Sequence, residues 1–166
     1  PGQGSQVVGM GLEFYKNFDT VKNFFTEADD SLNFKISKII LEGPENELKL
    51  TQNTQPAILT VSYAIYNVLK KDLGLNLDNF KYFAGHSLGE YSALSAGAAI
   101  SFETTIKLLK LRGKSMQSAV SEGSGGMVAV LGSEIDKIQN LIKLNSGKYE
   151  CFVANDNSNG QIVISG

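Results

Sequence analysis

The chain has 166 residues, of which 42% are hydrophobic and 19% are charged, and its formal net charge is −2. This composition is typical of one large globular domain, or of one domain and part of another. No run of about eighteen apolar residues is present, so we expect no transmembrane helix and no membrane partner, and the acidic balance argues against nucleic acid as a partner.

The first 75 residues predict a loop followed by helices. Residues 1–6 are rich in glycine and glutamine, and they lack the basic and apolar segments of a signal peptide. From Leu12, apolar residues recur at intervals of three and four, which predicts an amphipathic helix of about four turns. Pro56 and Gly74 are expected to begin and end the longest helix of this part. The predicted helices cover residues 12–28, 37–41, 45–50 and 56–73.

The next segment predicts a strand, a sharp turn and two helices. Residues 80–84 form a short apolar run bounded by a turn cluster and by Gly85, which predicts a buried strand. One helix is expected to begin near Gly89, and another follows the candidate N-cap residue Ser101. These helices cover residues 89–96 and 102–120, and the glycine-rich residues 122–126 predict a linker between subdomains.

The last third predicts a strand, a helix and two further strands. Asn159 and Gly160 are expected to supply the positive φ angles of a tight hairpin. This order is two-thirds of a ferredoxin-like unit, so we predict subdomains over residues 1–121 and 122–166. Cys151 is the only cysteine, which fits a reducing compartment, and we expect a cytoplasmic protein. The predicted strands cover residues 127–131, 151–154 and 161–165, and the helix covers residues 133–144.

Residues 85–89 match Gly-x-Ser-x-Gly, the motif of a strained turn from strand to helix that presents a nucleophilic serine. Such a turn exposes the Ser87 Oγ and aims the N–H of Leu88 at a reacting oxygen, with the positive end of the following helix behind it. Small residues are needed two before and two after the serine, because the strand and the helix pass close together. The alternative is a glycine-rich turn with an incidental serine.

A serine nucleophile needs a base, and His86 is the only histidine of the chain. Adjacent side chains diverge on such a tight turn, so we interpret His86 as supporting the loop by hydrogen bonding, with a direct catalytic role as the alternative. The base then lies in missing sequence, or the site is not catalytic. We expect a fragment cut at both ends, because one strand in the first 120 residues cannot make a sheet and Gly166 directly follows a strand.

Arg112 is the only arginine, while the other fourteen basic positions are lysine. A planar guanidinium binds a carboxylate through two parallel hydrogen bonds, which lysine cannot reproduce. The lone arginine therefore points to a carboxylate site, and a surface arginine near a helix C-terminus is an equally open alternative.

Other motifs that would hold a phosphate or a metal are incomplete. Residues 113–115 resemble the end of a phosphate-binding loop, but Leu108 stands where its first glycine should be. The opening glycines lack the third glycine of a dinucleotide fingerprint, and no histidine–cysteine cluster could hold zinc. We expect no metal and no cofactor.

Five segments of the chain have the order and spacing of one enzyme family. On these segments the whole chain resembles the malonyl-CoA:acyl carrier protein transacylases of bacterial fatty acid synthesis. The family usually has proline where this chain has Asn159, which alters a turn and not the chemistry. The five segments are residues 1–6 (PGQGSQ), 54–57 (TQPA), 85–94 (GHSLGEYSAL), 112–117 (RGKSMQ) and 155–166.

The resemblance implies a fold and a set of site residues. The fold would be α/β, with an α/β-hydrolase-like large subdomain and an inserted ferredoxin-like small subdomain, present here as an N-terminal fragment. Ser87 would carry the malonyl group as an ester, and the main-chain N–H groups of Gln3 and Leu88 would form the oxyanion hole. Arg112 would bind the malonyl carboxylate. The other residues assigned to the substrate site are Gln55, His86, Met116 and Asn155.

The resemblance also implies a reaction and its partners. Malonyl would pass from malonyl-CoA to the phosphopantetheine thiol of acyl carrier protein, with the catalytic histidine of the family beyond Gly166. Exposed lysines near the pocket mouth are expected to steer an acidic carrier protein. The open alternatives are a polyketide synthase acyltransferase domain or a methylmalonyl enzyme, a hydrolase or thioesterase, and a non-catalytic module that binds carrier protein.

Overall fold

The computed structural model describes residues 1–119 and 123–166, which belong to two compact units. The first unit, Pro1–Ala119, is built from helices, and no β-strand is present among its described residues. Its helices are α1 (Leu12–Asn17), α2 (Asp19–Leu32), α3 (Ile36–Glu42), α4 (Glu45–Lys49), α5 (Thr51–Asn67), a π-helical turn (Val68–Asp72), a 3-10 turn (Leu77–Asn79), α6 (Leu88–Ala96) and α7 (Phe102–Ser118).

Helix α5 lies at the centre of the first unit. It packs against α2, α3, α4, α6 and α7, and Ile58, Leu59 and Ala64 on it are buried. Burial of an Ile or Leu side chain stabilises a fold by roughly 1.5–3 kcal/mol, so a helix that is apolar on several sides belongs in the core. Helix α6 follows Ser87 and helix α7 carries Arg112, and both are thereby fixed against one rigid element.

The five α-helices predicted after residue 30 are present in the predicted order, whereas the first predicted helix and the bounds of the longest one differ from the structure. The prediction of one helix over residues 12–28 is wrong, because Phe18 has an extended backbone (φ −129°, ψ 120°) that separates α1 from α2. The longest helix begins at Thr51 and not at Pro56, because the Gln117 side chain accepts the Thr51 N–H (3.1 Å) and supplies a helix start. The predicted end at Gly74 is wrong for the α-helix, which ends at Asn67 and continues as the π-helical turn to Asp72; Gly74 (φ +65°) lies two residues beyond that turn.

The prediction of a buried strand over residues 80–84 is wrong. These residues form no strand, and Phe80 and Tyr82 are 63% and 87% exposed. A strand requires a neighbour for its backbone hydrogen bonds, and the described residues of the first unit offer none. The segment therefore leads into the serine turn as exposed chain without regular secondary structure.

The described part of the second unit, residues 123–166, confirms the predicted strand–helix–strand–strand order. Its elements are β1 (Met127–Leu131), α8 (Ile135–Leu144), β2 (Phe152–Ser158) and β3 (Gln161–Ser165). The sheet is antiparallel in the order β1-β3-β2, with Val130 opposite Ile162. Ile138 of α8 and Ile162 of β3 are its buried side chains, and α8 packs on β2.

The hairpin between β2 and β3 differs from its prediction in one respect. Gly160 has a positive φ (+80°), but Asn159 does not, so the expectation that both residues would supply this angle is wrong. The register of β2 shifts between Asp156 and Ser158. Such a bulge adds local twist, so the hairpin does not need two residues of positive φ.

Some predictions fall outside the described residues. Three predicted features lie at residues 120–122: the end of a helix near residue 120, the boundary between residues 121 and 122, and the first residue of the linker. Within the described residues, no helix combines the length and the apolar character that crossing a membrane requires.

Candidate active site

Ser87 stands on a strained turn at the start of α6. Its φ is +54° and its ψ is −116°, and Leu88 is the first residue of the helix. A non-glycine residue with positive φ costs about 1–3 kcal/mol, so the surrounding structure must hold it there. Two hydrogen bonds do so: the Gly89 N–H donates to the His86 carbonyl (2.8 Å), and the Glu90 N–H donates to the Ser87 carbonyl (3.1 Å). Ser87 is exposed, while Leu88 is fully buried and anchors the turn.

Glycines on both sides of the serine permit this turn. A Cβ at Gly85 would overlap the main-chain carbonyl group of Gly89, so the incoming chain passes α6 at a distance that only glycine allows. A Cβ at Gly89 would lie 3.0 Å from the Pro1 carbonyl oxygen. The predicted need for small residues two before and two after Ser87 therefore has a direct steric cause.

Arg112 of α7 lies beside Ser87. Its Nη2 donates to Ser87 Oγ (3.1 Å), and its Nη1 donates to Gln55 Oε1 of α5 (2.7 Å). Gln55 is fully buried, and its Nε2 lies 3.3 Å from Met116 Sδ. The structure thus brings together four of the predicted site residues, Ser87, Arg112, Gln55 and Met116.

The position of Arg112 depends on the close approach of α7 to the start of α5. A Cβ at the next residue, Gly113, would lie 2.6 Å from Gln52 Cα and 2.7 Å from the Thr51 carbonyl oxygen. No side chain fits between the two helices there. The guanidinium also lies near the ring of Tyr91 on α6, with Cζ 5.9 Å from the ring centroid.

The charges of α7 divide between two sides of the helix. Lys110 turns towards α4 and α5, where its Nζ donates to Asn53 Oδ1 (2.8 Å), and burial, with a further contribution from Lys114, lowers the Lys110 pKa. Arg112 turns towards Ser87, where its Nη2 donates to Ser87 Oγ. The cation beside Ser87 is therefore the only arginine of the chain, and its planar guanidinium can form two parallel hydrogen bonds.

The opening loop, residues 1–6, lies against the serine turn. A Cβ at Gly2 would be 3.0 Å from His86 Nδ1, so the histidine ring faces this loop. The Gln3 side chain donates from Nε2 to Thr51 Oγ1 (3.1 Å). Gln3 and His86, both predicted site residues, thus belong to the neighbourhood of Ser87. The Leu88 N–H is among the first N–H groups of α6, which lack acceptors within the helix and can face an anion.

Asn155 lies on β2 of the second unit, where it is paired with Val163 and exposed. Asn155 and Ser87 belong to different units, and the place of Asn155 in the substrate site stays a prediction. Among the described residues, no group of three or more His, Cys, Asp or Glu side chains could hold a metal ion.

Sequence reasoning assigned no role to three residues that contact the site. Thr51 accepts the Gln3 side chain, Gln117 accepts the Thr51 N–H, and Tyr91 lies beside the guanidinium. Tyr91 and Gln117 stand within the segments that carry the family resemblance, which is the only signal the sequence held. Thr51 lies outside those segments.

Chemically, the site joins an exposed hydroxyl to a fixed cation. The hydroxyl can attack a carbonyl group, and the Leu88 N–H at the start of α6 can stabilise a negative oxygen. The guanidinium can bind an acid group carried by the same substrate.

Comparison with known proteins assigns the chain to a family. The family model described as "Acyl transferase domain" matches residues 1–166. Malonyl CoA-acyl carrier protein transacylase of Bacillus subtilis (strain 168) is 44% identical over 167 residues, which cover 100% of this chain and 51% of the relative. The chain spans about half the length of the curated relatives it matches.

Solved structures agree with this assignment. The acyl-carrier-protein-S-malonyltransferase from Bartonella henselae matches with a TM-score of 0.93 and 46% identity, over 100% of this chain and 53% of that one. A malonyl-transacylase in complex with a type II PKS acyl-carrier protein matches with a TM-score of 0.90 and 41% identity, again over 100% and 53%. The chain therefore has the α/β fold of the corresponding half of these enzymes and belongs to the acyl transferase domain family.

Proposed function

We propose that the full-length protein transfers malonyl from malonyl-CoA to the phosphopantetheine thiol of acyl carrier protein. The observation that carries this proposal is the Arg112 guanidinium, which donates to Gln55 Oε1 (2.7 Å) and to Ser87 Oγ (3.1 Å). A cation held within hydrogen-bonding distance of a nucleophile suits a substrate with both a reactive carbonyl and a free carboxylate. Malonyl thioesters have both groups, and relatives of 41–44% identity are named for this reaction.

The first half-reaction would form a malonyl ester on Ser87. Ser87 Oγ attacks the thioester carbonyl and gives up its proton, and the tetrahedral oxyanion accepts hydrogen bonds from the N–H groups of Leu88 and Gln3. The C–S bond then breaks and CoA leaves as the thiol. In the second half-reaction the phosphopantetheine thiol gives up its proton and attacks the ester carbonyl, the C–O bond to Ser87 breaks, and Ser87 Oγ regains a proton.

The base for these proton transfers is proposed to come from outside the 166 residues. His86 immediately precedes Ser87 and its Nδ1 faces Gly2, which supports a role in holding the opening loop. The relatives are about twice as long as this chain, so they have room for another histidine.

Arg112 would select the acyl group. A malonyl carboxylate satisfies the guanidinium, whereas an acetyl group would leave a partly buried cation without that partner. We place Gln55 as the residue that orients the guanidinium, Met116 as its apolar neighbour, and Asn155 and His86 as further residues of the substrate site.

The architecture of the full-length protein follows the same proposal. Residues 1–121 would belong to an α/β-hydrolase-like large subdomain and residues 122–166 to an inserted ferredoxin-like subdomain. The partner would be an acyl carrier protein, which we expect to be acidic; a similar malonyl-transacylase has been solved in complex with a type II PKS acyl-carrier protein. The single cysteine favours a cytoplasmic location, and the reaction requires no cofactor.

The test is acylation of the full-length protein with radiolabelled malonyl-CoA. We expect a base-labile label on Ser87 that passes to holo acyl carrier protein, and no label on the Ser87→Ala variant. Ser146→Ala, which removes an exposed serine of the second unit, is the matched control and should label normally. Release of free malonate without transfer would identify a thioesterase, and absence of any label would identify a binding module; both results would refute the proposal.

A further inference from the structure

The opening loop, residues 1–6, is fixed at several points around the serine turn. The Gly2 carbonyl accepts both the Ser5 N–H (3.3 Å) and the Ser5 Oγ–H (2.8 Å), which closes a tight turn with Gln3 within it. Gly2 packs against His86 and Pro1 packs against Gly89. A side-chain hydrogen bond joins the loop to helix α5, from Gln3 Nε2 to Thr51 Oγ1 (3.1 Å), across 48 positions of the sequence.

Thr51 is itself held from the other side by α7. It is the first residue of α5, and its N–H donates to Gln117 Oε1 (3.1 Å). Its carbonyl oxygen would be 2.7 Å from a Cβ at Gly113, so the two helices are in direct backbone contact there. Thr51 is half-buried, and its backbone has little freedom to move. It offers the opening loop a rigid hydrogen-bond acceptor.

We propose that Thr51 is a positioning residue that holds the Gln3 main chain beside Ser87 through the Gln3 side chain. The inference rests on the proposed function, in which the Gln3 N–H stabilises the oxyanion. Such a donor is effective only when it is aligned before the reaction begins, and a loop with glycine on both sides of Gln3 does not hold one conformation by itself. The bond from Gln3 to Thr51 supplies that restraint.

This role differs from that of Arg112 in a way that can be measured. The oxyanion forms with every acyl donor, so loss of the Thr51 hydroxyl should slow acylation by any ester or thioester. Arg112 acts only on donors that carry a carboxylate. One helix, α7, would thus serve both functions: Arg112 binds the carboxylate, and Gln117 fixes Thr51 and with it the opening loop.

The experiment compares Thr51→Val with Thr51→Ser in the full-length protein. Valine keeps the shape of the side chain and removes the acceptor, whereas serine keeps the hydroxyl. We expect Thr51→Val to lower kcat roughly 10–100-fold with malonyl-CoA, with KM within about twofold, and to slow Ser87 acylation by p-nitrophenyl acetate by a similar factor. Thr51→Ser should recover activity to within about threefold of the unsubstituted protein.

Thr20→Val is the matched control. It removes a hydrogen bond of the same length, from Thr20 Oγ1 to Asp72 Oδ1 (3.1 Å), between residues separated by 52 positions. This variant should keep its activity even if its Tm falls as far as that of Thr51→Val. Equal kinetics for Thr51→Val and the unsubstituted protein would overturn the proposal, and so would failure of serine to restore the rate.

Hydrogen exchange separates this inference from the proposed function. The main-chain amides of residues 3–5 should exchange faster in Thr51→Val than in Thr51→Ser or Thr20→Val, whichever substrate the enzyme uses. Unchanged exchange would refute the positioning role. If the unsubstituted protein transfers no malonyl, the proposed function fails, while amide exchange and the p-nitrophenyl acetate rate still decide the role of Thr51.

Discussion

The Arg112 guanidinium uses two of its nitrogen atoms on different partners. Nη1 donates to the buried Gln55, and Nη2 donates to the exposed Ser87 Oγ. The bond to Gln55 fixes the plane of the guanidinium, since Gln55 lies on the central helix α5 and is fully buried. The other edge of the plane then faces Ser87, where the proposed substrate would bind. Lysine has one nitrogen atom and no plane, so it could not keep this orientation.

Replacement of Arg112 should change the acyl selectivity of the full-length protein. We expect Arg112→Ala to lower kcat/KM for malonyl-CoA about 100-fold or more and to leave acetyl transfer unchanged or raised, because loss of a charged hydrogen-bond partner affects only the diacid. Arg112→Lys should recover only part of the malonyl activity. Steady-state rates with malonyl-CoA and acetyl-CoA test this, and an equal loss for both would show that Arg112 is structural.

At the scale of elements, the contact between α5 and α7 leaves no room for a side chain at Gly113. Alanine is favoured over glycine inside a helix by about 1 kcal/mol. A Cβ 2.6 Å from Gln52 Cα would meet backbone atoms, which cannot rotate away, and such overpacking costs about 1–3 kcal/mol. The clash should therefore outweigh the helix propensity.

We predict that Gly113→Ala lowers the Tm by several degrees and also lowers malonyl transfer, because α7 carries Arg112 and must move away from Gln55. Gly126→Ala is the control, since a Cβ there would meet nothing within 4 Å. Thermal unfolding and transfer rates of both variants decide the point. A Gly113→Ala variant as stable and as active as Gly126→Ala would contradict the close packing of α5 and α7.

Two carboxylates at the contact of α2 and α7 give a prediction about pH. Burial, with repulsion from Glu103, raises the pKa of Glu27 above its ordinary value of 4.5. A raised folded pKa means that ionised Glu27 destabilises the fold, and this cost is present at pH 7 and disappears as the pH falls below 4.5. The Lys107 side chain, by contrast, lowers the pKa of Glu103.

We therefore expect Glu27→Gln to raise the Tm at pH 7 and to have no effect near pH 4. Glu103→Gln should raise the Tm less than Glu27→Gln at pH 7, because it relieves the repulsion on Glu27 but also removes the ionised carboxylate that Lys107 stabilises. Unfolding curves at several pH values measure both effects. A Glu27→Gln variant that is less stable than the unsubstituted protein at pH 7 would show that the charged carboxylate is favourable.

Across the molecule, features that depend on local sequence were predicted better than features that depend on contacts between distant residues. The strand–helix–strand–strand order of the second unit follows from alternation and helical periodicity within short segments. The serine turn was predicted from five adjacent residues, and its positive φ is present at Ser87. The start of α5 could not be predicted, because the Gln117 side chain that accepts the Thr51 N–H lies 66 positions away.

The exposed segment at residues 80–84 is a second case in which local sequence was not enough, since a predicted strand lacks its partner. Its apolar pattern is that of a buried strand, but Tyr82 is 87% exposed and no partner strand lies among the described residues of its unit. Apolar periodicity indicates that a segment can be buried, whereas the neighbour that buries it must come from elsewhere in the protein.

The number of histidines leads to a prediction for the 166-residue chain by itself. His86 is the only one, and its Nδ1 faces Gly2 of the opening loop. Without a positioned base, proton transfer loses about 10²–10⁴-fold in rate, so we expect the isolated chain to transfer malonyl to acyl carrier protein far more slowly than the full-length protein. Radiolabelled malonyl-CoA and holo acyl carrier protein measure both rates, with the Ser87→Ala chain as background. Turnover by the 166 residues at the full-length rate would show that His86 acts as the base, and a His86→Ala variant of the chain would then lose it.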